Sequence, residues 1–262
     1  HDFIRSVHDA NTGITGIDCA VENLYTTGYM HNHNRMYTAA VTCNQGGAHW
    51  KQPARWMYYH LLDGDWASNA LSWQWVGGSN ASKKYIANQD NVNKYTFTKQ
   101  KGTFLDVSYE TLALLDLPIE LSERLELQLE TPLPQATTLH IDTDLPTAVY
   151  NYYNLDPEWL SDTLMNRIML WEPVIFRQYP IGQKAVNFAL DLSKNIPSMQ
   201  LFIGSFDQLK AQLGNSEIHF KEHPLNNDYR GIQHARDWMT SVQGMYRSFF
   251  AFWKKAEKEL RF

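Results

Sequence analysis

The chain has 262 residues, 44% of them hydrophobic and 13% aromatic, enough for one large core or two ordinary ones, and a soluble globular protein is expected. The net charge of -5 divides as nine Lys or Arg against nine Asp or Glu up to Glu110 and fourteen against nineteen beyond it, so neither half has the bulk positive charge of a strong nonspecific nucleic-acid binder, although a local groove can still be positive. No run of eighteen apolar residues occurs, the start HDFIRSVHDA has no signal-peptide pattern, and Cys19 and Cys43 form no CxxC pair; a cytoplasmic chain with reduced thiols and no membrane partner is expected.

Ile17, Ala20, Val21, Leu24 and Tyr25 recur at i, i+3, i+4, i+7 and i+8, which predicts a helix stopped by Gly28. A second helix is predicted from Asn32 to Gly46-Gly47, with Met36, Ala39, Ala40 and Cys43 on one face, and a third from Pro53 through Trp56 toward Leu62. The polar and aromatic stretch DGDWASNALSWQWVGG that follows has weak periodicity and is a candidate site lining. Residues 131–150, rich in Pro and Thr, read as a connector with a short strand at 138–141. Beyond it, strands are predicted at 167–171, 199–203 and 217–221, with a helix over 182–195 between the first two, which makes a small parallel α/β unit. The end, 231–260, carries Trp238, Met239, Val242, Met245, Tyr246, Phe249, Phe250 and Trp253 at helical spacing and reads as a helix with an apolar docking face. The domains expected are therefore 1–130 and 131–262.

His31 and His33 invite a metal reading, but ligands at i and i+2 diverge on a helix, and His49 and His60 stand at no recognised zinc spacing. Asp63-Gly64-Asp65 begins like a calcium loop but has Ser68 and Gln74 where the loop needs Gly and Glu, so no metal is assigned. Asn32, Arg35 and Met36 share a helix face at i, i+3 and i+4. Arg35 with a carboxylate such as Asp63 forms a charge-assisted pair suited to a planar ligand, and Asn69 offers both donor and acceptor to a heterocycle edge. On composition alone, a surface ion pair and core tryptophans account for the same residues.

At these positions the chain resembles the photolyase/cryptochrome family, in the second half of its helical FAD-binding domain. The resemblance is carried by Thr27-Gly28-Tyr29-Met30-His31-Asn32-His33-Asn34-Arg35-Met36, then Trp50, then Leu62-Asp63-Gly64-Asp65-Trp66-Ala67-Ser68-Asn69 and Trp73-Gln74-Trp75, in register without a gap. Thr12-Gly13 and Ile17-Asp18 fit the preceding helix, so the resemblance covers 12–78. It implies helices packed around FAD, with Asn32, Arg35 and Met36 against the cofactor, Arg35 paired with Asp63, Asp65 near the polar edge of the ring and Asn69 near N5. Trp73 is then the proximal electron donor and cofactor contact, Trp50 the next donor, and Trp75 part of the substrate pocket.

The family's Gly-Gly before the WQW is Leu71-Ser72 here, which is expected to crowd the flavin, and its segment after the WQW is replaced by Lys84-Tyr85-Ile86-Ala87-Asn88-Gln89. The family's N-terminal α/β domain, phosphate-binding Ser/Thr cluster and outermost tryptophan have no counterpart in the sequence. A longer parent protein, a cleaved chain beginning at His1, or a second chain is therefore expected to supply them, and without them FAD is expected to be lost. The function implied is light-driven electron transfer from FAD that repairs pyrimidine dimers in DNA. The alternatives are a cryptochrome-like blue-light sensor and a flavin-free fragment.

Overall fold

The computed structural model describes residues 3–81 and 83–260; His1, at which a cleaved chain was expected to begin, lies outside them. A short strand β1 (Phe3–Ile4) pairs antiparallel with β2 (Arg124–Leu125) and ties the start of the helical region to its end. After α1 (Arg5–His8) comes α2 (Thr15–Thr27), whose Ile17, Ala20, Val21 and Leu24 are all buried as their spacing requires. Asp18 in its first turn accepts from Thr12 N and Oγ1 at 2.8 and 2.7 Å, closing the entry turn where a carboxylate also suits the helix dipole. The helix stops at Gly28 in the left-handed conformation (φ 76°), with its N–H bonded to the Leu24 carbonyl at 2.9 Å.

The second predicted helix is α3 (Asn32–Ala40) running into one π-helical turn, Val41–Gln45. Thr42 Oγ1 bonds the Thr38 carbonyl at 2.6 Å, a side-chain claim on the helix backbone just where the turn widens. Next come α4 (Lys51–His60), α5 (Trp66–Val76), α6 (Gln89–Thr96) and α7 (Tyr109–Ala113). Their shared core includes Phe3, Ile17, Leu24, Met30, Tyr37, Trp56, Met57 and Trp73.

The rest of the chain is built on a five-stranded, wholly parallel sheet: β3 (Thr147–Tyr150), β4 (Asn166–Trp171), α8 (Pro173–Gln178), α9 (Gln183–Ser193), β5 (Met199–Ile203), α10 (Phe206–Leu213), β6 (Ile218–Lys221) and β7 (Ile232–His234), then α11 (Phe249–Ala256). The strand order is β5-β4-β3-β6-β7, so the winding reverses between β3 and β6. Three strands and the helix over 183–193 lie within a residue or two of their predicted places.

Two expectations are corrected. Residues 138–141 form no strand; that segment runs beside β5, with Thr137 N on the Leu201 carbonyl at 3.2 Å and His140 N on Gln200 Oε1 at 2.6 Å. The strand that does form is β3, whose four residues are all buried, Ala148 and Tyr150 in the core on one side of the sheet and Val149 in the core on the other, which leaves no alternation to read. The C-terminal helix is only Phe249–Ala256, because Gly231 (φ 149°) and Gly244 (φ 106°) take conformations that no helix contains. Met239 is 81% exposed, Met245 99% and Phe250 73%, so the predicted stripe is not packed against the rest of the chain.

The two regions meet along α4. Tyr58, Leu62 and Trp66 pack into the core beneath the sheet, Tyr58 Oη bonds Tyr153 Oη at 3.2 Å, and Gly182 N bonds the Tyr59 carbonyl at 2.8 Å. A Cβ on Gly182 would stand 2.9 Å from that carbonyl, so the approach requires glycine.

Candidate functional site

Three segments surround a cavity of about 400 Å³. From α3 come Asn32, Arg35, Met36 and Ala39, at i, i+3, i+4 and i+7. From α5 and its cap come Asp65, Ser68, Asn69, Ser72, Trp73 and Val76, at i, i+3, i+4, i+7, i+8 and i+11. Met57 and Leu61 from α4 and its end, together with Asp63 and Trp75, complete the lining. The helical period thus brings six of the seven predicted cofactor contacts, with Asp63 as the seventh, around one space. The sequence reading missed Ser68, Met57, Leu61, Ala39 and Val76 as lining, although extending the α5 face at that period would have found Ser68 and Val76.

Each polar group has a defined mooring. His31 caps α3 by accepting from His33 N at 3.3 Å. Its ring stacks on His33 at 5.3 Å and 7°, and His33 stacks on Tyr95 at 4.2 Å, so the histidine pair belongs to an aromatic stack. Arg35 Nε donates to the Met30 carbonyl at 2.7 Å and one terminal nitrogen reaches both Asp63 oxygens at 2.9 Å. The loop bearing Asp63 is positioned by Leu62 N on the Gly28 carbonyl at 2.9 Å, so the turn at Gly28 sets the arginine–carboxylate register. Asp65 caps α5, accepting from Ser68 N at 2.7 Å. Asn69 Nδ2 donates to the Ala54 carbonyl at 2.8 Å, which fixes the amide and leaves Oδ1 as its unengaged acceptor.

Trp73 is 1% exposed and its Nε1 has no hydrogen-bond partner among the described residues. Trp75, 46% exposed, stands at the rim with its ring 5.6 Å from that of Tyr85. Trp50 lies outside the cavity lining, partly buried at the start of α4 with its ring 5.5 Å from His49. Of the pair expected to crowd the flavin, Leu71 points outward at 56% exposure, while Ser72 lines the cavity and its Oγ donates to the Ser68 carbonyl at 2.8 Å. The segment after Trp73-Gln74-Trp75 is fastened by Tyr85 N on the Val76 carbonyl at 3.0 Å, and the Asn44 amide bridges the carbonyls of Val76 and Tyr85 at 3.0 and 2.7 Å.

Residues 2–107 match the family described as the FAD binding domain of DNA photolyase. Every residue lining the cavity falls inside that match. Among curated proteins, the deoxyribodipyrimidine photo-lyase of Streptomyces griseus is 38% identical over 86 residues, 30% of this chain and 19% of that protein. The Escherichia coli enzyme of the same name is 33% identical over 76 residues, 29% of this chain and 16% of its own length. The mitochondrial enzyme of Saccharomyces cerevisiae is 40% identical over 63 residues, 24% and 11% respectively. The chain thus spans less than a fifth of the length of these relatives, and no solved structure matches it. These relations support the photolyase family for the helical region. Among the described residues no helix is long and apolar enough to cross a membrane.

The cavity's fit to FAD is unequal along the cofactor. A planar tricycle suits a space walled by Trp73 and Met36, with an ion pair and an oriented amide oxygen at its edge. Arg35 is the one cation in the lining and is already paired with Asp63, so these residues do not by themselves neutralise a pyrophosphate.

Proposed function

We propose that this cavity holds the isoalloxazine end of FAD, and that the protein acts in light-driven electron transfer that repairs pyrimidine dimers in DNA. The observation that carries the reading is the convergence of Asn32, Arg35, Met36, Asp63, Asp65, Asn69 and Trp73 on one space within the photolyase-matched region. When bound, FAD supplies absorption of blue light and one-electron chemistry. Arg35 and Asp63 orient the ring edge, Asn69 Oδ1 accepts from a ring N–H, and Met36 and Trp73 exclude water from its faces. Trp73 is the proximal reductant, because its buried indole is readily oxidised, and Trp50 is the next donor toward solvent. The Trp75–Tyr85 pair at the rim stacks a base extruded from the duplex. The pyrophosphate is held by residues outside this cavity, in keeping with a region equivalent to the second half of the family's domain and with a longer parent protein or second chain.

Titration of the protein with FAD, followed by quenching of flavin fluorescence, tests the cofactor directly, and Arg35→Gln is expected to weaken binding by roughly tenfold or more. A colourless protein that leaves flavin fluorescence unchanged overturns the reading. Trp73→Phe is expected to abolish photoreduction while binding persists; unchanged photoreduction refutes the assignment of Trp73. A cryptochrome-like sensor shares this photochemistry, and turnover of dimer-containing DNA under blue light separates repair from sensing.

A further inference from the structure

Two surface segments, both beyond residue 107 where the family match ends, carry exposed apolar side chains and opposite charge. The first is a ridge over residues 109–130. Leu112 and Leu121 turn inward to the core of the helical region, and this leaves Leu114 (86% exposed), Leu117 and Ile119 (81%) facing solvent. The ridge holds six carboxylates against Arg124 as its one cation. Among the described residues only Glu123 of those carboxylates is in an ion pair, with Arg5 at 3.1 Å. The second segment, 235–260, includes α11 and has five Lys or Arg against three Asp or Glu. Ser248 Oγ accepts from Ala251 N at 3.2 Å and so fixes the start of α11. Ala256 is buried and Phe252 and Trp253 are half-buried beneath the helix, whereas Phe250 and Lys254, at i and i+4, are exposed on its outer side. Met239, Met245 and Phe249 are exposed as well. Arg236 is paired with Glu222, but Arg247, Lys254, Lys255 and Lys258 have no carboxylate partner among the described residues, and no ion pair there joins the two segments.

We propose that the C-terminal segment of one copy of this chain docks on the acidic ridge of a second copy. Each surface exposes several large apolar side chains, which gain by leaving water. Pairing either surface with itself would bring like charges together, whereas ridge against segment sets carboxylates opposite lysines and an arginine. An anionic lipid surface or a nucleic acid would match the basic segment alone and leave Leu114, Leu117 and Ile119 bare. A second copy satisfies both surfaces at once. The contact joins two different patches and is therefore heterologous, so every copy offers one ridge and one segment. Burial of Ile119 and Leu114 against Phe249, Phe250 and Met245 supplies the bulk of the affinity, and the charges set orientation and association rate.

Sedimentation velocity of the full chain over a range of about 1 to 100 μM tests this. The mass is expected to rise with concentration, and the association to weaken at least about threefold when salt is raised from roughly 0.05 to 0.5 M. Ile119→Asp and Phe250→Asp, each at a position the fold leaves exposed, are expected to weaken association by about tenfold or more while melting temperature stays near that of wild type. The decisive measurement mixes the two variants. The Ile119→Asp chain keeps an intact segment and the Phe250→Asp chain an intact ridge, so the mixture is expected to regain association that neither variant shows alone. Association unaffected by Ile119→Asp means that the segment pairs with something other than the ridge, and overturns the proposal. A mixture as monomeric as its parts does the same. So does a wild-type chain that stays monomeric throughout, whether or not it sediments with phosphatidylserine vesicles or duplex DNA.

Discussion

Two arginines show how differently the two regions use polar residues. Arg35 in the helical region is a quarter exposed, faces a cavity and is held by one carbonyl and a carboxylate that is itself half exposed. Arg167 on β4 is 6% exposed and has no carboxylate among the described ion pairs. It donates instead to Tyr150 Oη at 2.7 Å and to the carbonyls of Trp159, Leu160 and Thr163 at 3.4, 2.6 and 3.2 Å. One arginine leaves its site open to a ligand; the other closes a loop upon itself. Leu160, whose carbonyl it grips, stands at φ 55°, a conformation that a leucine keeps only under such constraint. A buried charge is thus evidence of function only when its partners leave something unsatisfied toward a cavity.

Removing Arg167 is the harshest way to break that contrast. Arg167→Met strands a hydroxyl and three carbonyls in the interior and releases Leu160, so a loss of about 3 to 4 kcal/mol is expected, read as faster hydrogen exchange across β3 and β4. Flavin binding at a temperature where the protein stays folded is expected to change little. Acid acts next. Burial pushes the pKa of His60 down to about 4, with His8 and Lys184 adding to the effect. The unfolded chain takes up this proton near pH 6.5 and the folded chain only near 4, so stability is complete above pH 6.5 and is lost as pH falls between those values. The loss amounts to about 2 to 3 kcal/mol. His60→Gln is expected to flatten that part of the melting-temperature profile, and an unchanged slope removes His60 from the account.

Gly28→Ala comes third. Its left-handed φ opposes a side chain, and a Cβ would stand 2.6 Å from Leu62 Cγ. A loss of about 2 kcal/mol in urea unfolding is expected. Flavin affinity should fall with it, because Leu62 carries the loop of Asp63.

Much of the helical region was legible because its signals are local: a stop at Gly28, a face at Asn32, Arg35 and Met36, and a dense string through Trp75. Residues that share a helix face are close together whatever the rest of the chain does. The lining from Ser68 was passed over because a small polar side chain carries no chemical flag. The sheet was half legible. Strands at 166–171 and 199–203 stood out as apolar runs, whereas TAVY at 147–150 is short, buried on both sides and preceded by the TTLHI run, which has the alternation of a strand but takes none. The C-terminal stripe misled for a related reason: periodicity describes a potential face, and the backbone at Gly244 prevents the long helix that would display it.

The gentlest substitution discriminates best between the two uses of arginine. Asp63 is about half exposed, so its ion pair with Arg35 contributes about 1 kcal/mol at most to folding. Asp63→Asn keeps the shape and a hydrogen-bond acceptor but removes the countercharge, while Arg35 stays tethered through Nε to the Met30 carbonyl. The expected result is a melting temperature within a few degrees of wild type, with flavin affinity reduced by roughly tenfold because the edge that orients the ring has lost its charge balance. That is the inverse of Arg167→Met, which should lose stability and keep the flavin. Were Asp63→Asn to destabilise the fold while leaving flavin fluorescence quenching intact, the Arg35–Asp63 pair would have to be classed with Arg167 as a structural tie, and the polar edge of the cavity would have to be sought at Asp65 and Asn69 instead.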